Sequence, residues 1–233
     1  MNQNDSSGIL HSLFAFLEDN RFAFLFGSLL LTIGGSEVLA ELNIYGGIRI
    51  LFTLNLLVLL SVGKRKRGFL LAGLVLFFMH LVFWSLSTIP DFKFLAPGEQ
   101  GSSAALLIIG TIACFQSAFK SGPVDNERIF AAISLYLTIG LIFALFFSLL
   151  DGSLPGSFSH PSSIIITPRD SLITHYTYFS FVTLTTLGYG DIVPLSGPAR
   201  GLAVLEAIIG QIYLALVIAR LVSLYGQSDS SRP

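Results

Sequence analysis

The sequence predicts an all-α membrane protein: six transmembrane helices, with a re-entrant helix and loop between the fifth and sixth. Three observations lead there. The chain has 233 residues, 53% hydrophobic and only 12% charged. Soluble domains carry about twice that charged share, and the mean hydropathy is +0.77. Apolar runs recur at about 21–40, 46–62, 68–89, 103–120, 128–150 and 199–225, each close to the ~20 residues that cross a bilayer. Between the last two lies a seventh apolar stretch, 172–187, too short and too rich in hydroxyls to span, followed by a glycine-rich loop.

The N-terminus, "MNQNDSSG", is acidic and polar, so a secretory signal is not expected. Residues 1–20 read as a cytoplasmic segment. Within it, "ILHSLFAFL" at 9–17 either lies at the membrane interface as a short helix capped by Ser6 or Ser7, or extends the first span. Orientation follows from Lys and Arg placement. With the N-terminus inside, Arg21, Lys64, Arg65, Lys66, Arg67, Lys120, Arg128, Arg220 and Arg232 face the cytoplasm. Arg49, Lys93, Arg169 and Arg200 face outward, nine against four. Both termini are then cytoplasmic in a cell-membrane protein. The block Lys64, Arg65, Lys66, Arg67 fixes topology and can also bind anionic lipid headgroups.

Polar residues inside the spans are costly and face protein or water. Asn55 in span 2 and His80 in span 3 read as helix-to-helix hydrogen-bonding groups. Arg49 is expected to form a surface ion pair with Glu37 or Glu41, of small value. Cys114, the single cysteine, lies in an apolar run, cannot form an intrachain disulfide and reads as a small buried hydrophobe. Segment 151–171, rich in Ser, Pro and Gly, reads as a solvated outer turret with His160 exposed. No metal-ligand cluster, nucleophile triad or phosphate-binding loop is evident, so an enzyme is not expected. Basic residues sit between apolar runs rather than on one polar face, which argues against nucleic acid. No organic cofactor is implied.

The segment "TLTTLGYGDIVP" at 183–194 carries the chemistry. Irregular backbone at membrane depth survives only where protein buries it or it lines a watery path. The short helix before it ends at Thr185–Thr186, so its negative dipole end points into the membrane and favours a cation. Gly188 and Gly190 allow backbone conformations that turn successive carbonyls to one side. Four copies around an axis then make rings of oxygens able to replace the hydration shell of a bare cation.

"TTLGYGD", Thr185 to Asp191, closely resembles the signature of potassium channels, usually written T-V-G-Y-G-D, and the likeness extends through 128–225. The resemblance implies a selectivity filter of Thr186, Leu187, Gly188, Tyr189 and Gly190. Thr186 gives a hydroxyl and a carbonyl to the innermost potassium ions, Leu187, Gly188 and Tyr189 give carbonyls, and Gly190 borders the outer mouth. Leu187 replaces the usual valine, a change of packing rather than of chemistry. Thr185, Asp191 and Tyr178 support the filter; Tyr178 stands where related channels carry a tryptophan bonded to the aspartate. Val182 stands where some two-span relatives carry a glutamate, so that carboxylate is missing. Gly210 has the spacing of a hinge glycine but reads equally as a close-packing one, and Gln211 beside it can face the central cavity. Glu206 pairs with hydroxyls behind the filter, such as Thr183 or Thr185, holds the helix pair together, or titrates. Gly210, Gln211 and Glu206 are the gating candidates.

The resemblance divides the chain into the N-terminal segment 1–20, a four-span sensor-like unit at 21–121, a pore domain at 122–225 and a short tail at 226–233. Span 4, "SAALLIIGTIACFQSAFK", has no basic residue before Lys120, so steep voltage gating is not expected. Only "GQSDSSRP" follows span 6, so gating is expected from the spans, the short loops, lipid or a partner rather than from a cytosolic module of this chain. The expected function is passive potassium-selective conduction by a homotetramer. The alternatives are a weakly selective cation channel and a non-conducting membrane sensor or regulatory subunit that keeps the pore scaffold.

Overall fold

A computed structural model describes residues 20–42, 44–62, 67–87, 89–120, 125–159 and 169–229. The interfacial helix expected near 9–17, His160 and the side chains of Lys64, Arg65, Lys66 and Arg67 lie outside the described residues. Among the described residues the architecture is all-helical, with one two-residue strand pair. In chain order the helices are α1 (Arg21–Glu41), α2 (Tyr45–Val62), α3 (Arg67–Ser87), α4 (Ala96–Ala118), α5 (Asn126–Ser153), α6 (Arg169–Leu184) and α7 (Gly197–Asp229). A 3-10 turn (Pro90–Leu95) links α3 to α4. Three stretches among the described residues are long and apolar enough to cross a membrane: Pro97–Ala118, Asn126–Ser153 and Gly197–Arg220. Arg21–Ser36, Gly47–Leu60 and Leu71–Ser87 are shorter apolar stretches.

The helix ends follow local chemistry. Asp125 caps α5, its side chain accepting from the Arg128 amide at 2.9 Å, which satisfies one of the donors a helix start leaves open. Pro97 sits in the first turn of α4, where its missing N–H costs nothing. The largest core joins α1, α2, α4 and α5 through Leu25, Leu29, Leu56, Leu59, Leu107 and Leu135. A second gathers aromatic rings of α5 and α6 around Phe147, Phe158, Tyr176 and Phe179.

Asn55 and His80 find partners across helix pairs, which lowers the cost of a polar group in an apolar setting. Asn55 donates to Thr32 at 3.1 Å and to Ser28 at 3.3 Å. His80 lies between Thr53 at 3.2 Å and Ser103 at 3.0 Å. Cys114 is fully buried. Arg49 bonds Glu99 on α4 at 2.7 Å, a partner that the sequence expectation did not name; the side chain of Glu37 lies outside the described residues. Arg49 and Glu99 are largely buried, and Ser87 donates to the same carboxylate at 2.7 Å. This carboxylate two helices away lets the guanidinium be paired inside the bundle, where an unpaired charge is expensive.

In the outer segment, residues 152–156 are exposed, as a solvated turret requires. The chain then runs back into the core: β1 (Phe158–Ser159) pairs antiparallel with β2 (Val193–Pro194), Phe158 opposite Pro194 and Ser159 opposite Val193. Phe158 is buried, with its ring 5.0 Å from Tyr176 and 5.4 Å from Phe179. One aromatic residue among serines, glycines and prolines thereby ties the chain before α6 to the chain after the loop.

Candidate functional site

Helix α6 sets the site. Its 16 residues make about 24 Å at ~1.5 Å per residue, short of a bilayer's hydrocarbon core. It is clasped between α5 and α7 at two glycines. A methyl on Gly140 of α5 would come within 2.8 Å of the Phe181 ring, and one on Gly210 of α7 within 2.8 Å of both the carbonyl oxygen and the side chain of Leu184. Gly210 is therefore a close-packing position at the C-terminal end of α6.

Hydroxyls and one acid lock α6 in place. Tyr136 of α5 donates to the Leu184 carbonyl at 3.1 Å, and its ring stacks on Tyr213 of α7 at 5.8 Å. Tyr213 donates in turn to the Ala132 carbonyl. Ser180 of α6 lies within bonding distance of two oxygens, the Gly140 carbonyl at 2.7 Å and Oε1 of Glu206. Glu206 is fully buried, and its Oε2 has no partner among the described residues. The expected partner on α6 was Thr183 or Thr185; the recorded one is Ser180. Thr185 instead bonds back to the Phe181 carbonyl, at 2.6 Å.

The loop grows directly from the end of α6. The amides of Leu187 and Gly188 both donate to the Val182 carbonyl, at 2.9 and 3.2 Å, and the Thr186 amide to Thr183 at 3.0 Å. These bonds satisfy carbonyls that a helix end leaves open and fix the loop's first residues. Along the loop φ is positive at Thr186 (61°), Gly188 (60°) and Gly190 (77°), and at neither Leu187 nor Tyr189. Alternation of left- and right-handed residues turns consecutive peptide groups the same way, so carbonyls face one side and amides the other. For glycine this conformation is free. For Thr186, a β-branched residue, it is strained, and such strain collects at functional sites. Residues 185–190 are all exposed on the single chain, Leu187 at 55% and Tyr189 at 67%.

Beyond the alternation the chain is tied back to α6. The Tyr178 hydroxyl donates to Asp191 at 2.7 Å, and the Tyr178 ring stacks on Tyr189 at 6.4 Å with 7° between planes. One side chain of α6 thus holds the loop at two points. The bond from Tyr178 keeps the Asp191 carboxyl below the usual carboxylate range, since a donor to the charged form favours it. Gln211 lies exposed on α7, beside a run of exposed apolar residues that includes Val204, Ile208, Ile212 and Leu216.

Sequence reasoning brings Tyr178, Thr185–Asp191, Glu206 and Gly210 to one place, and the structure holds them there. It misses Tyr136, Gly140, Ser180 and Tyr213. A signal existed for them: hydroxyls and a glycine in otherwise apolar helices, where polar groups need a partner.

An ion-channel family model matches residues 131–227, which includes α6, the loop and most of α5 and α7. Protein LctB of Bacillus caldotenax is 31% identical over 96 residues, 41% of this chain and 71% of that protein. Protein LctB of Geobacillus stearothermophilus is 30% identical over 118 residues, 50% of this chain and 87% of that protein. Two-pore potassium channel 1 of Arabidopsis thaliana is 36% identical over 94 residues, 40% of this chain but 22% of that protein. No solved structure matches. The residues matched by the family model include the helix that ends at Leu184 and the alternating loop beyond it, and with these relatives the chain belongs to the potassium channel pore-domain family.

Proposed function

We propose that this chain is the subunit of a homotetrameric, potassium-selective channel of the cell membrane. It crosses the membrane six times with both termini cytoplasmic, and α6 and the loop re-enter between the fifth and sixth spans. The alternating φ at Thr186, Gly188 and Gly190 carries the reading. A strand with its carbonyls on one face is what a stack of cation sites requires, and one strand gives one oxygen per level. Four chains close each ring; one cannot. Potassium ions are held by the hydroxyl and carbonyl of Thr186 and the carbonyls of Leu187, Gly188 and Tyr189, which replace lost water oxygens. The exposed apolar residues of α7, and Leu187, are covered by the other copies. The C-terminal end of α6 adds a negative dipole toward the ions.

Glu206 is a positioning residue: through Ser180 it fixes α6, and through α6 the loop. Gly210 acts through its close approach to Leu184, and Gln211 faces the cavity below the filter. Potassium efflux from liposomes holding the purified chain tests the function. Efflux dependent on the protein is expected; a chain that assembles and passes no ion is a regulatory subunit instead.

Two further outcomes follow. Tyr178→Phe and Asp191→Asn each remove the 2.7 Å bond across the outer end of the loop, so flux should decay several times faster in both. Unchanged decay in both means that the bond has no functional role. The pH dependence has a definite sign. A depressed carboxylate stabilises while ionised, so its contribution is complete above the ordinary value of ~3.9 and is lost as pH falls through the lower folded value. In Tyr178→Phe that loss should move upward, toward the ordinary value.

Voltage should act weakly. Among the described residues α4 carries Glu99 and no Lys or Arg before Lys120, and Glu99 is paired with Arg49, a neutral unit. One charge crossing the field yields only ~2.3 kcal/mol per 100 mV. Opening measured across the full voltage range should be no steeper than about one charge per chain. A curve as steep as several arginines produce would mean that a charge assigned to the membrane edge crosses the membrane.

A further inference from the structure

A cavity of about 70 Å³ lies inside the bundle, and each of the helices α1 to α6 contributes to its wall. Its polar lining includes Ser36 of α1, Arg49 of α2, His80 of α3, Glu99 of α4, and Thr174 and Thr177 of α6. The contribution of α5 is apolar, Leu141 and Leu145. Ser36, His80, Thr174 and Thr177 are all buried, so these groups meet each other and the cavity rather than the surface.

One water needs ~10–15 Å³ of such space and two to four polar partners, so the volume admits a cluster. Partners are available. A guanidinium carries five N–H donors and a carboxylate about four acceptor sites, more than the contact between Arg49 and Glu99 uses. Each hydroxyl offers one donor and two acceptor sites, so one that already has a partner can still bond water. Both ring nitrogens of His80 are taken, by Thr53 at 3.2 Å and Ser103 at 3.0 Å, so His80 frames the cavity. A wholly apolar cavity of this size would stay dry; this one has a charged pair and several hydroxyls in its wall.

We propose that this cavity binds a cluster of water molecules, which hydrates the Arg49–Glu99 pair and joins it to the hydroxyls of α6. Two charges taken out of bulk water are costly even when paired, and a bridging water is nearly as good as a direct hydrogen bond. The cluster also sits where α1 and α2 both contact α6. Thr177 adjoins Tyr178, which holds the loop at two points. The support of the loop is therefore wet on this side. Water binding here is independent of what the loop conducts.

The test is X-ray hydroxyl-radical footprinting of the full chain in lipid nanodiscs, since radicals formed from a bound water oxidise the side chains beside it. Leucines give a matched comparison. Leu141 and Leu145 line the cavity, whereas Leu25 and Leu59 are as deeply buried in the same core and form no part of its wall. Leu141 and Leu145 should be oxidised several times faster than Leu25 and Leu59. Ser36→Leu and Thr177→Leu fill the cavity from two different helices. Each should bring Leu141 and Leu145 down to the rate of the other two, in protein that sizing shows to assemble as the wild type does. Equal rates at all four leucines in the wild type, as in a dry cavity or one taken by hydrocarbon, overturn the proposal. An undiminished rate in a filled variant that assembles normally overturns it as well. If neither variant assembles, the wild-type comparison decides alone.

Discussion

Gly188→Ala and Gly190→Ala are each expected to abolish potassium conduction while the assembled protein survives. Both glycines have positive φ, 60° and 77°, and nothing within 4 Å would meet an added methyl on the single chain. Any effect therefore comes through the backbone and not through a clash within the chain. A left-handed conformation costs an L-residue about 1–2 kcal/mol, so four copies in a ring would pay about 4–8 kcal/mol. Turning one peptide group in each chain relieves that cost and takes a carbonyl out of every strand. Fold stability should change little, because the loop is bonded to α6 through Leu187 and Gly188 amides that the substitutions leave in place. Flux assays paired with a sizing measurement read both outcomes. Wild-type flux in either variant would remove the loop from the conduction path.

Gly210→Val should have the second-largest effect, on assembly as well as flux. A Cβ at Gly210 would stand 2.8 Å from the Leu184 carbonyl oxygen and 2.8 Å from its side chain. The side chain can turn aside, but the carbonyl cannot: it ends α6 and accepts the Tyr136 hydroxyl. Helix α7 must then move away from the base of the loop. Overpacking of this kind costs about 1–3 kcal/mol per site. Gly210→Ala should lower the thermal stability of the assembled protein by that order, and Gly210→Val should abolish flux. If Gly210→Ala keeps full stability and only slows opening, the glycine serves as a hinge and not as a packing contact.

The parts legible in the sequence are those that depend on local pattern. Apolar runs give the helices, and the spacing of Gly188 and Gly190 marks the loop, since φ beyond 0° is a property of one residue. The contact between Tyr178 and Asp191 is legible because both lie on one short hairpin. What is not legible depends on packing between distant helices. Arg49 meets Glu99 because α2 packs against α4, and no periodicity encodes that neighbour. Glu206 meets Ser180 rather than Thr183 or Thr185 because the rotation of α6 about its axis is set by the two glycine approaches. Phe158 is hidden in a segment whose composition reads as solvated, and one ring suffices to return it to the core.

The reversal potential of the purified chain in a bilayer, with potassium on one side and sodium on the other, tests the central claim most directly. If carbonyl rings from Thr186 to Tyr189 replace potassium's water, the current should reverse near the potassium equilibrium potential. The permeability ratio should exceed ~10, equivalent to at least ~1.4 kcal/mol of discrimination per ion. A reversal near zero, with potassium and sodium passing equally, would contradict the account: the loop would then be a wide cation path.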